Sequence, residues 1–155
     1  MKGQQAIIST LNGLLADELT AINQYMVHSE MCANWGYGRL HEVVKKRAIT
    51  EMGHAERLIE RILFLDGKPT VSKLNKISIG ADVEAQLRND LAAEMTAVAG
   101  YNAGVTQAAE LADNGSRDLF ESILGDEEAH LDWIEAQLDQ IAQMGIQNYL
   151  SEQTG

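Results

Sequence analysis

Apolar residues recur every three or four positions along four long stretches of the chain. Over residues 5–34 the stripe is Ile7, Leu11, Leu14, Leu15, Ile22 and Tyr25, and over 37–65 it is Leu40, Val44, Leu58, Ile62 and Leu65. Over 83–112 it runs through Leu87, Leu91, Val98, Tyr101, Val105 and Leu111, and over 116–144 through Phe120, Ile123, Leu124, Leu131, Ile134, Leu138 and Ile141. Such spacing places each set on one face of a helix, so four amphipathic helices are predicted. Trp35, Gly36, Tyr37 and Gly38 punctuate the first pair, and Asp113, Asn114 and Gly115 the second. Both joints are short, so each pair should fold as an antiparallel hairpin. Residues 66–82 lack helical periodicity and contain Gly67, Pro69 and Gly80. About 17 residues reach up to ~56 Å when extended, whereas a helix of about 28 residues is ~42 Å long. This segment can therefore cross the full length of a bundle. A last stretch, 146–151, is too short for a stable helix by itself and needs packing, with other subunits as one source. The expectation is one all-α domain over 1–155: a four-helix bundle with a long crossover between helices two and three and a short fifth helix.

Charged groups interrupt these stripes in an ordered way. Glu18 lies between Leu15 and Ile22, Glu51 and His54 between Val44 and Leu58, Glu94 between Leu91 and Val98, and Glu127 and His130 between Leu124 and Ile134. Each helix thus aims a carboxylate at the core, which is strongly unfavourable unless the charge is paired or binds a metal. No Lys or Arg sits opposite each of these groups on the same stripes, Arg47 near Glu51 being one candidate partner. Four carboxylates carry −4, which two Fe(II) ions would cancel. The spacing is an independent argument. Glu18 precedes Glu51 by 33 residues, Glu94 precedes Glu127 by 33, a histidine follows at i+3 in both halves, and an offset of 76 maps one half onto the other. The midpoints fall at or beside the two turns, so each hairpin sets a Glu beside a Glu-x-x-His. A single Glu-x-x-His is common on solvated faces; two copies with two matched glutamates are not. A purely structural bundle has no reason to place six such groups on its core stripes. Carboxylate with imidazole suits iron, manganese or zinc.

Composition narrows the partners. The 155 residues carry a formal net charge of −11, which opposes a nucleic-acid partner and fits cation attraction or simple solubility. One cysteine, Cys32, precludes an internal disulfide, and the N-terminus shows no signal-peptide pattern, so a cytoplasmic location is expected. No stretch approaches the ~18 apolar residues of a membrane span.

Four helices supplying two Glu and two Glu-x-x-His is the arrangement of ferritin-like di-iron proteins, and further stretches make the likeness closer. Ala16 to Leu19, Ala21 to Tyr25, Asn34 to Gly36, Glu51 to Ala55, Arg61 to Leu65, Asp126 to His130, Asp132 with Trp133, and Gln147 to Leu150 resemble the bacterioferritin family over essentially the whole chain. The resemblance implies iron storage in a 24-subunit cage and a ferroxidase that oxidises Fe(II) with O2 or H2O2. Glu51 and Glu127 would bridge two iron ions, Glu18 and Glu94 would each cap one, and His54 and His130 would each add a nitrogen. It implies haem b shared between two subunits, with one Met52 from each as ligand and Leu19, Ile22, Asn23, Met26 and Ile49 nearby. It also implies a reductase such as a small ferredoxin for iron release, and a cage of one or two subunit types. Tyr25 and Trp133 match aromatic residues near the iron pair that can donate single electrons, although core packing explains them equally well. Some members carry a His and an acidic residue at the positions of Lys46 and Thr50 as an inner-surface iron site, which this chain cannot build. His28 and His41 match no ligand position and are expected at the surface or an interface. The alternatives are a non-haem ferritin or a di-iron redox enzyme without storage; a rubrerythrin-like iron module needs more than one cysteine.

Overall fold

The computed structural model describes residues 1–155. Four long helices, α1 (Gln5–Asn34), α2 (Gly38–Phe64), α3 (Val83–Glu110) and α4 (Asn114–Met144), form a bundle closed at one end by α5 (Ile146–Ser151). α1 packs chiefly on α2, and α3 on α4. The pairs Gln24–Asp90, Tyr25–Glu94 and Glu18–Tyr101 show that α1 and α3 run antiparallel. The order is therefore up, down, down, up, and a connection spanning the bundle is obligatory between α2 and α3.

That connection lies along α1. Asn12 bonds Thr70 N and Lys68 O, Thr20 accepts from Asn75 N, Gln24 from Ser78 N, and His28 Nε2 from Gly80 N. These α1 residues form one helical stripe that satisfies a backbone with no regular partner of its own. Gly80 sits where the fit is tightest, because a Cβ there would stand 2.3 Å from Gln86 N. His28 is fully buried, with Nδ1 2.9 Å from Asp90 Oδ1. This corrects the expectation of a surface or interface histidine. His41 is half-buried and bonds Ser29 of α1.

α4 begins at Asn114, earlier than its apolar stripe indicates, because the Asp113 carboxylate caps it by accepting from Ser116 N at 3.0 Å. Gly145 turns the chain into α5 at φ +83°, a left-handed conformation that suits glycine. α5 finds its packing within its own chain. Tyr149 is fully buried, its hydroxyl donates to Gln137 Oε1 at 2.7 Å, and it joins Cys32, Leu40 and Ile134 in an apolar cluster. A larger cluster around Leu11, Leu58, Ile62, Phe120 and Ile123 fills the other half of the bundle.

Candidate metal centre

Between the two apolar clusters all four helices bury charge. Glu18, Glu51, His54, Glu94, Glu127 and His130 are each almost fully buried. The structure brings the six together as two overlapping groups. One donor atom from each of Glu18, Glu51, His54 and Glu127 lies within 4.8 Å of the others, and the same holds for Glu51, Glu94, Glu127 and His130. Glu51 and Glu127 belong to both groups.

Local helix geometry produces this. In both Glu-x-x-His segments the two side chains share one helix face, and each imidazole turns Nδ1 toward the carboxylates. His54 Nδ1 is 3.0 Å from Glu127 Oε1 and 3.2 Å from Glu51 Oε2, while His130 Nδ1 is 2.8 Å from Glu94 Oε1. Tyr25 donates to Glu94 Oε1, and Tyr101 donates to Glu18 Oε1 at 2.6 Å. His54 Nε2 is held from outside the cluster by Asp126 Oδ2 at 2.9 Å. Trp133 stacks on His130 with centroids 6.3 Å apart, and Tyr25 meets the same ring edge-on at 5.4 Å.

One oxygen of each carboxylate has no hydrogen-bond partner: Glu18 Oε2, Glu51 Oε1, Glu94 Oε2 and Glu127 Oε2. Buried polar atoms are rarely left so, and four at one place form a set that cations would complete. The electrostatics agree. Burial pushes the carboxyl of Glu51 up to about 8 and that of Glu94 up to about 7, and raises Glu18 and Glu127 as well. Burial alone would lower His54, but hydrogen bonds to Glu127, Glu18 and Glu51 outweigh it and raise its pKa. Burial lowers His130. Without metal the cluster holds protons, and two divalent cations would take their place. A cavity of about 280 Å³ reaches the carboxylates from the α1–α3 side, beneath Asn75 and Lys76 of the crossover.

Met52 stands apart from this cluster. It is 49% exposed on α2, one turn from the exposed Ile49. Two contributors to the centre went unassigned in the sequence. Tyr101 lies 76 residues after Tyr25, so the repeat that relates the six ligand candidates also marks this pair. Asp126 had no such marker, because it is an exposed-type residue acting across helices.

The bundle and its donor set define a class, the helical proteins that close two Glu and two Glu-x-x-His around a shared pair of glutamates. The Ferritin-like domain family matches residues 8–144. The chain is 40% identical to the bacterioferritin of Rhodobacter capsulatus, over 96% of this chain and 92% of that protein. It is 38% identical to the bacterioferritin of Mycobacterium leprae, over 98% and 96%, and 41% identical to a bacterial ferritin of Paramagnetospirillum magnetotacticum, over 100% and 96%. The chain belongs to the bacterioferritin family. No helix is long and apolar enough to cross a membrane.

Proposed function

We propose that this protein stores iron and that its bundle core is a ferroxidase, taking Fe(II) as substrate and O2 or H2O2 as oxidant. The observation that carries the reading is the pair of overlapping donor groups with one unpartnered oxygen on each of four buried carboxylates. Glu51 and Glu127, which belong to both donor groups, would be shared by the two iron ions, Glu18 with His54 would complete one position, and Glu94 with His130 the other. Substrate enters through the cavity beneath Asn75 and Lys76. The carboxylates give up their shared protons as Fe(II) binds, and their four negative charges match two ions. Each Fe(II) would then yield one electron; O2 takes the two electrons with two protons to become H2O2, and H2O2 takes two electrons and two protons to become two waters. Anionic ligands favour the higher iron charge, so the site pulls the reaction forward. Tyr25 and Trp133, whose rings neighbour that of His130, would pass single electrons in this reading.

In this reading the chain works in the cytoplasm as a subunit of a 24-subunit cage, alone or with a second subunit type, and stores Fe(III) mineral inside. The exposed thioether of Met52 fits a haem ligand at a two-fold contact. Haem b held there by Met52 of each subunit would supply electron transfer for iron release, fed by a reductase such as a small ferredoxin.

The test is an anaerobic Fe(II) titration of metal-free protein, followed by oxidant, with absorbance recorded across the visible range. The fast phase should saturate near two Fe(II) per chain, and His130→Ala should slow it sharply. Normal oxidation in His130→Ala would sink the assignment.

A further inference from the structure

The six ligand candidates obey a two-fold repeat, each residue of one half recurring 76 positions later, and so do Tyr25 and Tyr101. The surroundings of the two histidines break it. His54 turns Nδ1 to the carboxylates and donates from Nε2 to Asp126 Oδ2 at 2.9 Å. His130 also turns Nδ1 inward, at 2.8 Å from Glu94, but no protein group accepts from its Nε2. The residue equivalent to Asp126 is Thr50, and its hydroxyl is spent on Lys46 O at 3.1 Å within its own helix. The other face of His130 is occupied by the Trp133 ring, whose counterpart beside His54 is Arg57, bonded away to Ser122.

A carboxylate on the far nitrogen of a ligating histidine fixes the tautomer and ring orientation and makes the near nitrogen a better donor. Resting on the di-iron reading above, we infer that the two iron positions are unequal, and that Asp126 is the positioning residue that makes the His54 position the tighter one. Asp126 holds the Nε2 proton of His54 and leaves the Nδ1 lone pair for the cation. His130 has the same first donors without an acceptor on its Nε2, so nothing fixes its tautomer or strengthens its Nδ1 as a donor, and its position fills second. The consequence is ordered loading, with the Glu18–His54 position occupied before the Glu94–His130 position.

Anaerobic Co(II) titration of the assembled, metal-free protein tests this, since cobalt absorbance reports ligand geometry without turnover. Two Co(II) per chain should bind in separate steps, and the step lost or weakened in His54→Ala should be the tighter one. Asp126→Ala should weaken that step about 10–100-fold and leave the other unchanged. Asp126→Asn keeps a neutral acceptor and should fall between. Asp126 is 53% exposed on its side chain, so these variants should fold as the parent does, which thermal melting checks. Two equal sites in the parent protein, or equal weakening of both steps by Asp126→Ala, would each overturn the inference while leaving the di-iron reading in place. Failure to bind two Co(II) at all would overturn both.

Discussion

Glu51 ties the proposed chemistry to the stability of the bundle. It sits in both donor groups, one of its oxygens has no partner, and burial raises its carboxyl to about 8 from an ordinary 4.5. The folded chain therefore keeps a proton that the unfolded chain releases above about pH 4.5. Unfolding sheds that proton, so rising pH favours unfolding until the folded group ionises near pH 8. The raised pKa of His54 acts in the same direction above its ordinary 6.5. Thermal melts of metal-free protein should show the midpoint falling between about pH 5 and 8. Glu51→Gln should flatten that fall and raise the midpoint at pH 8, while abolishing the fast oxidation phase. Metal-loaded protein should show the opposite trend, because cations compete with these protons. A parent midpoint that climbs with pH in the metal-free state would contradict this account. Glu51 was readable as a ligand candidate because a charge on an apolar stripe contradicts its surroundings. Asp126 was not, since an aspartate on a solvated position contradicts nothing.

Among the elements, the crossover depends most on single contacts. It has no helical hydrogen bonds of its own, and α1 supplies partners at Asn12, Thr20, Gln24 and His28. His28 lies beside the closely packed Gly80, accepting from Gly80 N on one side and bonding Asp90 on the other. His28→Leu keeps the volume apolar but strands the Gly80 N–H in a buried place, which should cost about 1–3 kcal/mol. Urea unfolding should show that loss, and amide exchange should rise at Ser78 and Gly80 before it rises in the helices. Iron oxidation should persist, since His28 touches none of the six ligand candidates. Unchanged exchange at Gly80 would mean that the crossover is held elsewhere. The stripe from Asn12 to His28 looks like an ordinary solvated face in the sequence, which is why His28 was expected outside.

For the whole molecule, the acidic core and the exposed Met52 have separate duties under the proposed function. Ile49 and Met52 leave an apolar strip on α2 that the single chain does not cover. Met52→Leu keeps that strip apolar and removes the thioether, so it should eliminate the Soret band of protein purified with haem available. Oxidation stoichiometry and the elution volume of the assembly should stay as in the parent. Loss of oxidation together with haem would show that the two sites are coupled, against this division. Release of stored iron to an external reductant should slow in the same variant.

The sequence by itself determined the four helices, the hairpin joints, the length of the crossover and the six ligand candidates. Each of these is written as a local period or as a repeat, and periods survive without coordinates. The repeat also carried Tyr101, although its place on an apolar stripe made it look like core. Only the tertiary structure decided that α1 carries the crossover, that α5 buries Tyr149 in its own bundle, and that His54 has Asp126 behind it while His130 has Trp133 beside it. Those outcomes depend on which polar face meets which, and a polar face that meets another chain segment has the same spacing as one that meets water.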